Sequence, residues 1–490
     1  MAQPAPKRWR KVAVRGLLAL AGLCVALAVI NAFDEELSPE AAAYLAPEKT
    51  AVPDARNAYL ALLGTEAGPG TRPHEAGRKR LDALAAAIAA DPLVGDVPNL
   101  QVENPLTAAG AYAGCKGTSS CLQDVARDDG ARAFVEANGP LLQRYRELLN
   151  YPEFSDAVPS SAFGTFPLYP PLLLQARQLF HTDIALRVQQ TAASAKKALA
   201  DLARQIEFDR RNLAAAGHSL SKLVFAAHLR DDYLLLSEAL QAAPAGSIEA
   251  ARAALTPLTE REKSLAKVLR SEARQSAETL RRLRQAMLRF RNPYADIAAA
   301  NPQMEVSSPF PSHSKAANFL LAWFYQPNAT INEWFRMHQA VVALAAQPAA
   351  GRLEAARGED KWIRDFEKEL SPNPLNLAGI SAARKLVLPG HVLRYSFFLD
   401  DLDGFVRLVV LKSELLSNRV SPSRLGTYLE SRKDLLNVYT GTAMQHRFRQ
   451  AESGATVMDL WFEPVNSSWR QRDFGLGPGK VAVALALPGR

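Results

Sequence analysis

The sequence predicts a mainly α protein: long antiparallel helices in a bundle or short solenoid-like stack, a small C-terminal β-hairpin or sheet, and one N-terminal transmembrane helix. Three observations carry this. Between Leu172 and Asn292 apolar residues recur at three- and four-residue steps over lengths that strands do not reach. Near the end, Met458, Leu460 and Phe462 alternate with Val457, Asp459 and Trp461, and Val481, Val483, Leu485 and Leu487 alternate with small residues. At the start, 18 uncharged residues from Gly16 to Phe33 follow five cations.

The 490 residues are 48% hydrophobic and 22% charged, which excludes collagen-like, mucin-like and disordered acidic chains. That length supports two unequal lobes better than one core. Lys7, Arg8, Arg10, Lys11 and Arg15 precede the apolar run, and Asp34, Glu35 and Glu36 close it. The positive-inside rule then predicts a cytoplasmic tail over 1–15, a transmembrane helix over 16–33 and a periplasmic remainder. The expected location is a bacterial inner membrane, crossed once. Ala26-Leu-Ala offers the alternative of signal cleavage and a soluble periplasmic product. Leu23 before Cys24 argues against a lipoprotein signal.

Region 34–171 is read as helices and loops. Ser38-Pro39 starts a helix to Ala46, Asn57 begins a second, and Arg78 to Ala90 forms a third with Leu81, Leu84 and Ile88 on one face. From Asp91 to Gly130 the Gly and Pro content predicts a loop. Cys115 and Cys121 bracket a flexible Lys-Gly-Thr-Ser-Ser, and a disulfide between them is expected to pin it. The three cysteines match no zinc-site spacing. The prolines and aromatics from Tyr151 to Pro171 predict a packed crossover between helices, or else the lining of a groove.

Region 172–400 is expected to hold the long helices: Leu172 to Ala216, Ser219 to Gln241 and Ser247 to Asn292, then shorter ones near Lys315 to Gln326 and Thr330 to Ala346. Region 401–490 should start a helix after Asp403-Gly404, with Asp403 as its N-cap, and end in the hairpin.

Chemical motifs are sparse. Ser-x-x-Lys occurs at Ser194–Lys197, Ser219–Lys222, Ser264–Lys267 and Ser312–Lys315, and this repetition makes the pattern uninformative. None of the eight histidines forms H-E-x-x-H, and neither a Walker A nor a G-x-S-x-G sequence is present. Asp400-Asp401-Leu-Asp403-Gly404 lacks the distal Glu of a calcium loop. No catalytic, cofactor-binding or metal-ligating set is assigned.

One helix is strongly basic. Ten Lys or Arg stand between Arg261 and Arg291 against Glu262, Glu272 and Glu278, and Arg270, Arg274, Arg281, Arg282 and Arg284 are candidate contacts for an anionic partner. Removing the five N-terminal cations from a net charge of +8 leaves +3, which gives no support for nucleic-acid binding.

Arg210-Arg-Asn-Leu-Ala-Ala-Ala-Gly-His-Ser-Leu-Ser-Lys-Leu-Val, with Leu229-Arg-Asp-Asp-Tyr-Leu-Leu-Leu, resembles a helix pair in an uncharacterised family of membrane-anchored, mainly helical envelope proteins of Gram-negative bacteria. Asp401-Leu-Asp-Gly-Phe and Tyr439-Thr-Gly are similar to later blocks of that family. The resemblance implies topology and no activity. The functional expectation is an anchored interaction or scaffold protein of the cell envelope, whose partner is an envelope protein or an anionic lipid or glycan. The rival is an envelope hydrolase built from His181, His218, His228, Asp231 and Asp232.

Overall fold

The computed structural model describes residues 7–47, 52–68, 70–90, 105–110, 115, 121–158, 169–244, 246–288, 322–323, 325–358, 376, 379–380, 382–383, 389–450, 456–471 and 479–486. Over these the chain is mainly helical, with one three-stranded antiparallel sheet near the C-terminus.

Helix α1 covers Lys7–Ala32. A bilayer span needs about 20 consecutive apolar residues. Among the described residues no helix is long and apolar enough to cross a membrane. The transmembrane helix over 16–33, and the single-pass inner-membrane location resting on it, are corrected accordingly.

Helix α2 (Pro39–Leu45) starts as expected, with the Ser38 hydroxyl accepting from Ala41 N–H at 3.2 Å and Pro39 in the first turn. Asn57 caps α3 (Ala58–Leu63) by accepting from Tyr59 N–H, and it also receives the Ser155 N–H at 3.0 Å. Helix α4 (Pro73–Ala90) crosses α3 so closely that a Cβ on Gly77 would stand 1.9 Å from the Leu60 carbonyl oxygen. Only glycine fits there.

Cys115 and Cys121 are joined, with Cα atoms 4.4 Å apart. The loop expected to Gly130 ends sooner, because Cys121 opens α5 (Cys121–Ala126), followed by α6 (Gly130–Ala137) and α7 (Gly139–Leu148). Glu238 accepts from Leu122 N–H at 2.9 Å and so satisfies a free donor of the first turn of α5.

The crossover after α7 is packed. Phe154 stands edge-on to Tyr59 and Phe225, with ring centroids 5.8 and 5.1 Å away. Residues 159–168 of that segment lie outside the described residues.

The helix expected from Leu172 to Ala216 is two. Helix α8 (Pro171–Val188) stops, Thr191 accepts from Ser194 N–H, and α9 (Ala192–Ala215) folds back against it. The threonine cap explains the turn that periodicity alone does not show. Helix α10 (Ser219–Ala242) follows and completes a three-helix layer.

The expected helix from Ser247 to Asn292 also breaks. A 3-10 turn over Ile248–Ala254 leads through Pro257 to α11 (Glu260–Lys263), opened by a capping box between Thr259 and Glu262, and then to α12 (Ala266–Leu288). Pro257 lacks the N–H that a continuous helix would need. The candidate helix near Lys315 falls mostly outside the described residues. Helix α13 (Pro327–Ala345) and α14 (Ala349–Arg357) follow.

Asp403 is not an N-cap. Helix α15 runs unbroken over Pro389–Asn418, so Asp403 lies in its middle. Its carboxylate accepts from Leu258 N–H at 2.9 Å and from the Arg407 guanidinium at 2.9 Å. Both carboxylate oxygens of Asp400 accept from Nη2 of Arg352, at 2.6 and 2.7 Å, while Asp401 receives the Tyr439 hydroxyl at 2.6 Å and Asn466 N–H at 2.8 Å. Each acid therefore ties α15 to a different segment. Gly404 is required by packing, since a Cβ there would meet the Phe462 ring at 2.6 Å.

Helix α16 (Leu425–Ser431) precedes the sheet in sequence, and α17 (Ser467–Arg470) lies between its last two strands. Strand β1 (Gln445–Gln450) pairs with β2 (Thr456–Phe462), which pairs with β3 (Val481–Ala486), so the expected hairpin gains a third strand. Met458, Leu460 and Phe462 are buried, and β2 and β3 pack on α15. Both faces of β1 are exposed, so Gln-His-Arg-Phe-Arg-Gln carries no alternation to read.

Two apolar cores result. The larger joins α3, α8, α9, α10, α15 and the sheet. The smaller gathers Leu45, Leu280, Tyr325, Ile331 and Trp334 around α2, α12 and α13. Helix α12 belongs to both, with Leu269, and Leu265 just before the helix, in the first and Ala273 to Met287 in the second.

Candidate functional site

The seam between the cores holds a pocket of about 420 Å³, and α12 forms one wall. Lys267, Ser271, Arg274, Glu278 and Arg281 follow one another at three- and four-residue steps, so they share a helix face opposite the apolar stripe. That face lines the pocket together with Arg282, His218 and Asp156. Four cations stand there against two carboxylates.

Three of the five basic residues predicted as contacts come together in this way: Arg274, Arg281 and Arg282. Arg270 lies elsewhere, its guanidinium 5.1 Å from the centre of the Tyr44 ring, and it lines a separate shallow hollow with Phe335 and Gln339. Arg284 is half-buried and lines neither.

The carboxylates differ in what they already hold. Glu278 pairs with Arg281 at 3.5 Å and with Arg282, within the exposed helix surface. Asp156 is buried and accepts from Gly217 N–H at 2.8 Å and His218 N–H at 3.0 Å, where α10 begins. The positive end of that helix is thus filled by the chain itself. Lys267 donates to the Ala215 carbonyl at 2.5 Å and Lys222 to that of Leu213 at 2.9 Å, so two lysines close the negative end of α9. Burial pushes Lys222 down to about 7, and the Lys267 charge adds to the effect. Two of the Ser-x-x-Lys lysines are therefore helix caps. Arg274 is the distinctive member: its Nε is buried and has no hydrogen-bond partner among the described residues.

The rival set collects in a second place. His181 and Asp232 lie 2.7 Å apart, and Arg177 binds both Asp232 and the His228 carbonyl. Asp231 stands at the edge, 3.7 Å from Arg177. Sequence reasoning missed Arg177, Gln205 and Asp209, although Arg177–His181, Gln205–Asp209 and His228–Asp232 are all four-residue pairs that α8, α9 and α10 turn toward one another. Such pairs on the apolar face of a helix are the signal that could have found them. His218 is not part of the cluster; it lines the pocket.

Burial sets the chemistry of this cluster. Asp232 is 0% exposed, Asp209 1% and His181 3%, so no substrate reaches these atoms in this conformation. Burial pushes Asp209 up to about 6 against the pull of Arg177, raises Asp232, and drives His228 down to about 3 with help from the Arg177 charge. Asp209 thus keeps its proton into mildly acidic solution and His228 stays neutral.

Among the described residues no group of three or more His, Cys, Asp or Glu could hold a metal ion. No family model, characterised protein or solved structure matches the chain.

Proposed function

We propose that the chain is an interaction module that takes an anionic partner against the basic face of α12. One observation carries the reading: Lys267, Arg274, Arg281 and Arg282 converge on a single pocket instead of spreading around the helix. Lys267 caps α9 and the one Glu278 is shared by Arg281 and Arg282, so cations remain in excess at the pocket, and an anion that joins them gains from that excess. A solvated helix face needs cations too, but it scatters them among acids, as Arg252 and Glu249 do on the surface.

Catalysis by the histidines is the weaker reading. His181 and Asp232 have the contact of an acid–base pair, yet Arg177 already neutralises the acid and burial bars a substrate.

The test is a titration of the whole protein with a fluorescent oligoglutamate, using an uncharged Gly-Ser peptide of the same length as control. The expected result is binding of the acidic probe alone, weakening as salt is added and lost in the Arg281→Glu, Arg282→Glu double variant. Equal binding by the double variant contradicts the proposal.

A further inference from the structure

The pocket has two unlike kinds of lining. Beside the cations of α12 it is lined by Leu45, Pro47, Ala157 and Val158 from other segments, and by Ala277 of α12 itself. A site evolved for a bare oxyanion has no use for hydrocarbon along one side, and one meant for an apolar ligand has no use for four cations.

Size points the same way. A cavity of about 420 Å³ falls in the range of small-molecule sites, whereas an inorganic oxyanion displaces only a few waters of about 30 Å³ each. The helix end beside the pocket is not open to an anion, because Asp156 already accepts both the Gly217 and His218 N–H groups. A ligand head must therefore meet side-chain cations. Arg274 has a buried Nε with no partner among the described residues, and a planar guanidinium suits a carboxylate or phosphate with two oxygens in reach.

We propose that this pocket binds a small organic anion, its carboxylate or phosphate head on Arg274 and its hydrocarbon body along Leu45, Pro47 and Val158. The inference rests on the reading of the α12 face as an anion site and names the ligand class of that site. Lys267 lies one pair of helical turns before Arg274 on the same face and adds charge without competing for the fork geometry.

The experiment is calorimetric titration of the full chain with octyl phosphate, inorganic phosphate and octanol in turn. Octyl phosphate is expected to bind at least about tenfold more tightly than either of the others, since each offers half of the contacts. Arg274→Gln should lose about tenfold for octyl phosphate, and Arg274→Lys should recover part of that loss. Val158→Asn, an uncharged change at a half-buried residue of the lining, should weaken octyl phosphate and leave inorganic phosphate unchanged. The wild-type comparison stands even where a variant fails to fold. Equal affinity for inorganic and octyl phosphate overturns the ligand class while leaving the anion site intact. Equal affinity for octanol overturns the role of Arg274. If none of the three binds, the inference fails, and the oligoglutamate titration decides separately whether the α12 face takes anions at all.

Discussion

The α8–α10 cluster and the α12 pocket are built from the same materials, charged side chains four or seven residues apart on helices, and they differ in access to water. In the first, Arg177, His181, Asp209 and Asp232 are closed in, and charge is met by charge inside the chain. In the second, cations outnumber carboxylates at a cavity open to solvent. A sealed set of charges constrains the fold, because each member left alone is costly. An open and unbalanced one is left to be completed from outside. Strength of interaction is therefore a poor guide to function here, and accessibility is the better one.

The largest effect should come from breaking the sealed cluster. Asp232→Ala leaves Arg177 buried without its carboxylate and should cost about 3–5 kcal/mol in denaturant unfolding. A loss under about 1 kcal/mol would mean that water enters the cluster and that the contrast with the pocket is weaker than drawn.

Acid–base behaviour sharpens the same contrast. Asp209 is raised to about 6 in the fold, so the folded state holds a proton that the unfolded chain releases near pH 4. Its contribution is present below pH 4 and is lost as pH rises to about 6. Asp209→Asn stays neutral throughout, so its stability relative to wild type should climb across that window, by at most about 3 kcal/mol. His228 has the opposite sign: lowered to about 3, it resists the proton that the unfolded chain accepts below about pH 6.5, so stability is lost as pH falls from there. His228→Gln should flatten that acid limb. Thermal unfolding from pH 4 to 8 reads both slopes, and parallel curves for the two variants would contradict the assignment.

Reducing the Cys115–Cys121 bond should cost about 2 kcal/mol, the entropy of freeing a short loop. It should leave pocket affinity unchanged, because the Glu238 cap still holds the start of α5. The smallest stability effect belongs to the pocket itself. Arg281→Glu changes an exposed side chain and should shift unfolding by no more than about 0.5 kcal/mol. Unfolding of this variant in guanidinium chloride provides the check, and a loss comparable to that of Asp232→Ala would recast the basic face as structural.

Much of the helical framework was legible, since Leu81, Leu84, Ile88 and the stripe of α12 repeat at helical steps. The breaks were not. Thr191 and the Thr259–Glu262 capping box interrupt two long periodic runs, and a cap looks like any polar residue until the chain turns at it. Asp403 failed in the other direction. Asp-Gly reads as a helix start, but its carboxylate ties down Leu258 from 145 residues away and its glycine admits the Phe462 ring, both long-range facts.

The site was half legible. Seven-residue spacing places Lys267, Arg274 and Arg281 on one face, while Asp156, His218 and Val158 join them only through the packing of two cores. The acid–base cluster required three helices to meet, and of its members the sequence pointed to His181, His228 and Asp232 but not to Arg177 or Asp209.

The most direct test of the central claim is amide hydrogen exchange of the full chain with and without oligoglutamate. Protection is predicted over Ser155–Val158 and Lys267–Arg282, the two sides of the pocket, with α8 to α10 unchanged outside the Gly217–His218 corner. Protection confined to other segments, or none at saturating probe, would contradict the assignment of the α12 face as the binding surface.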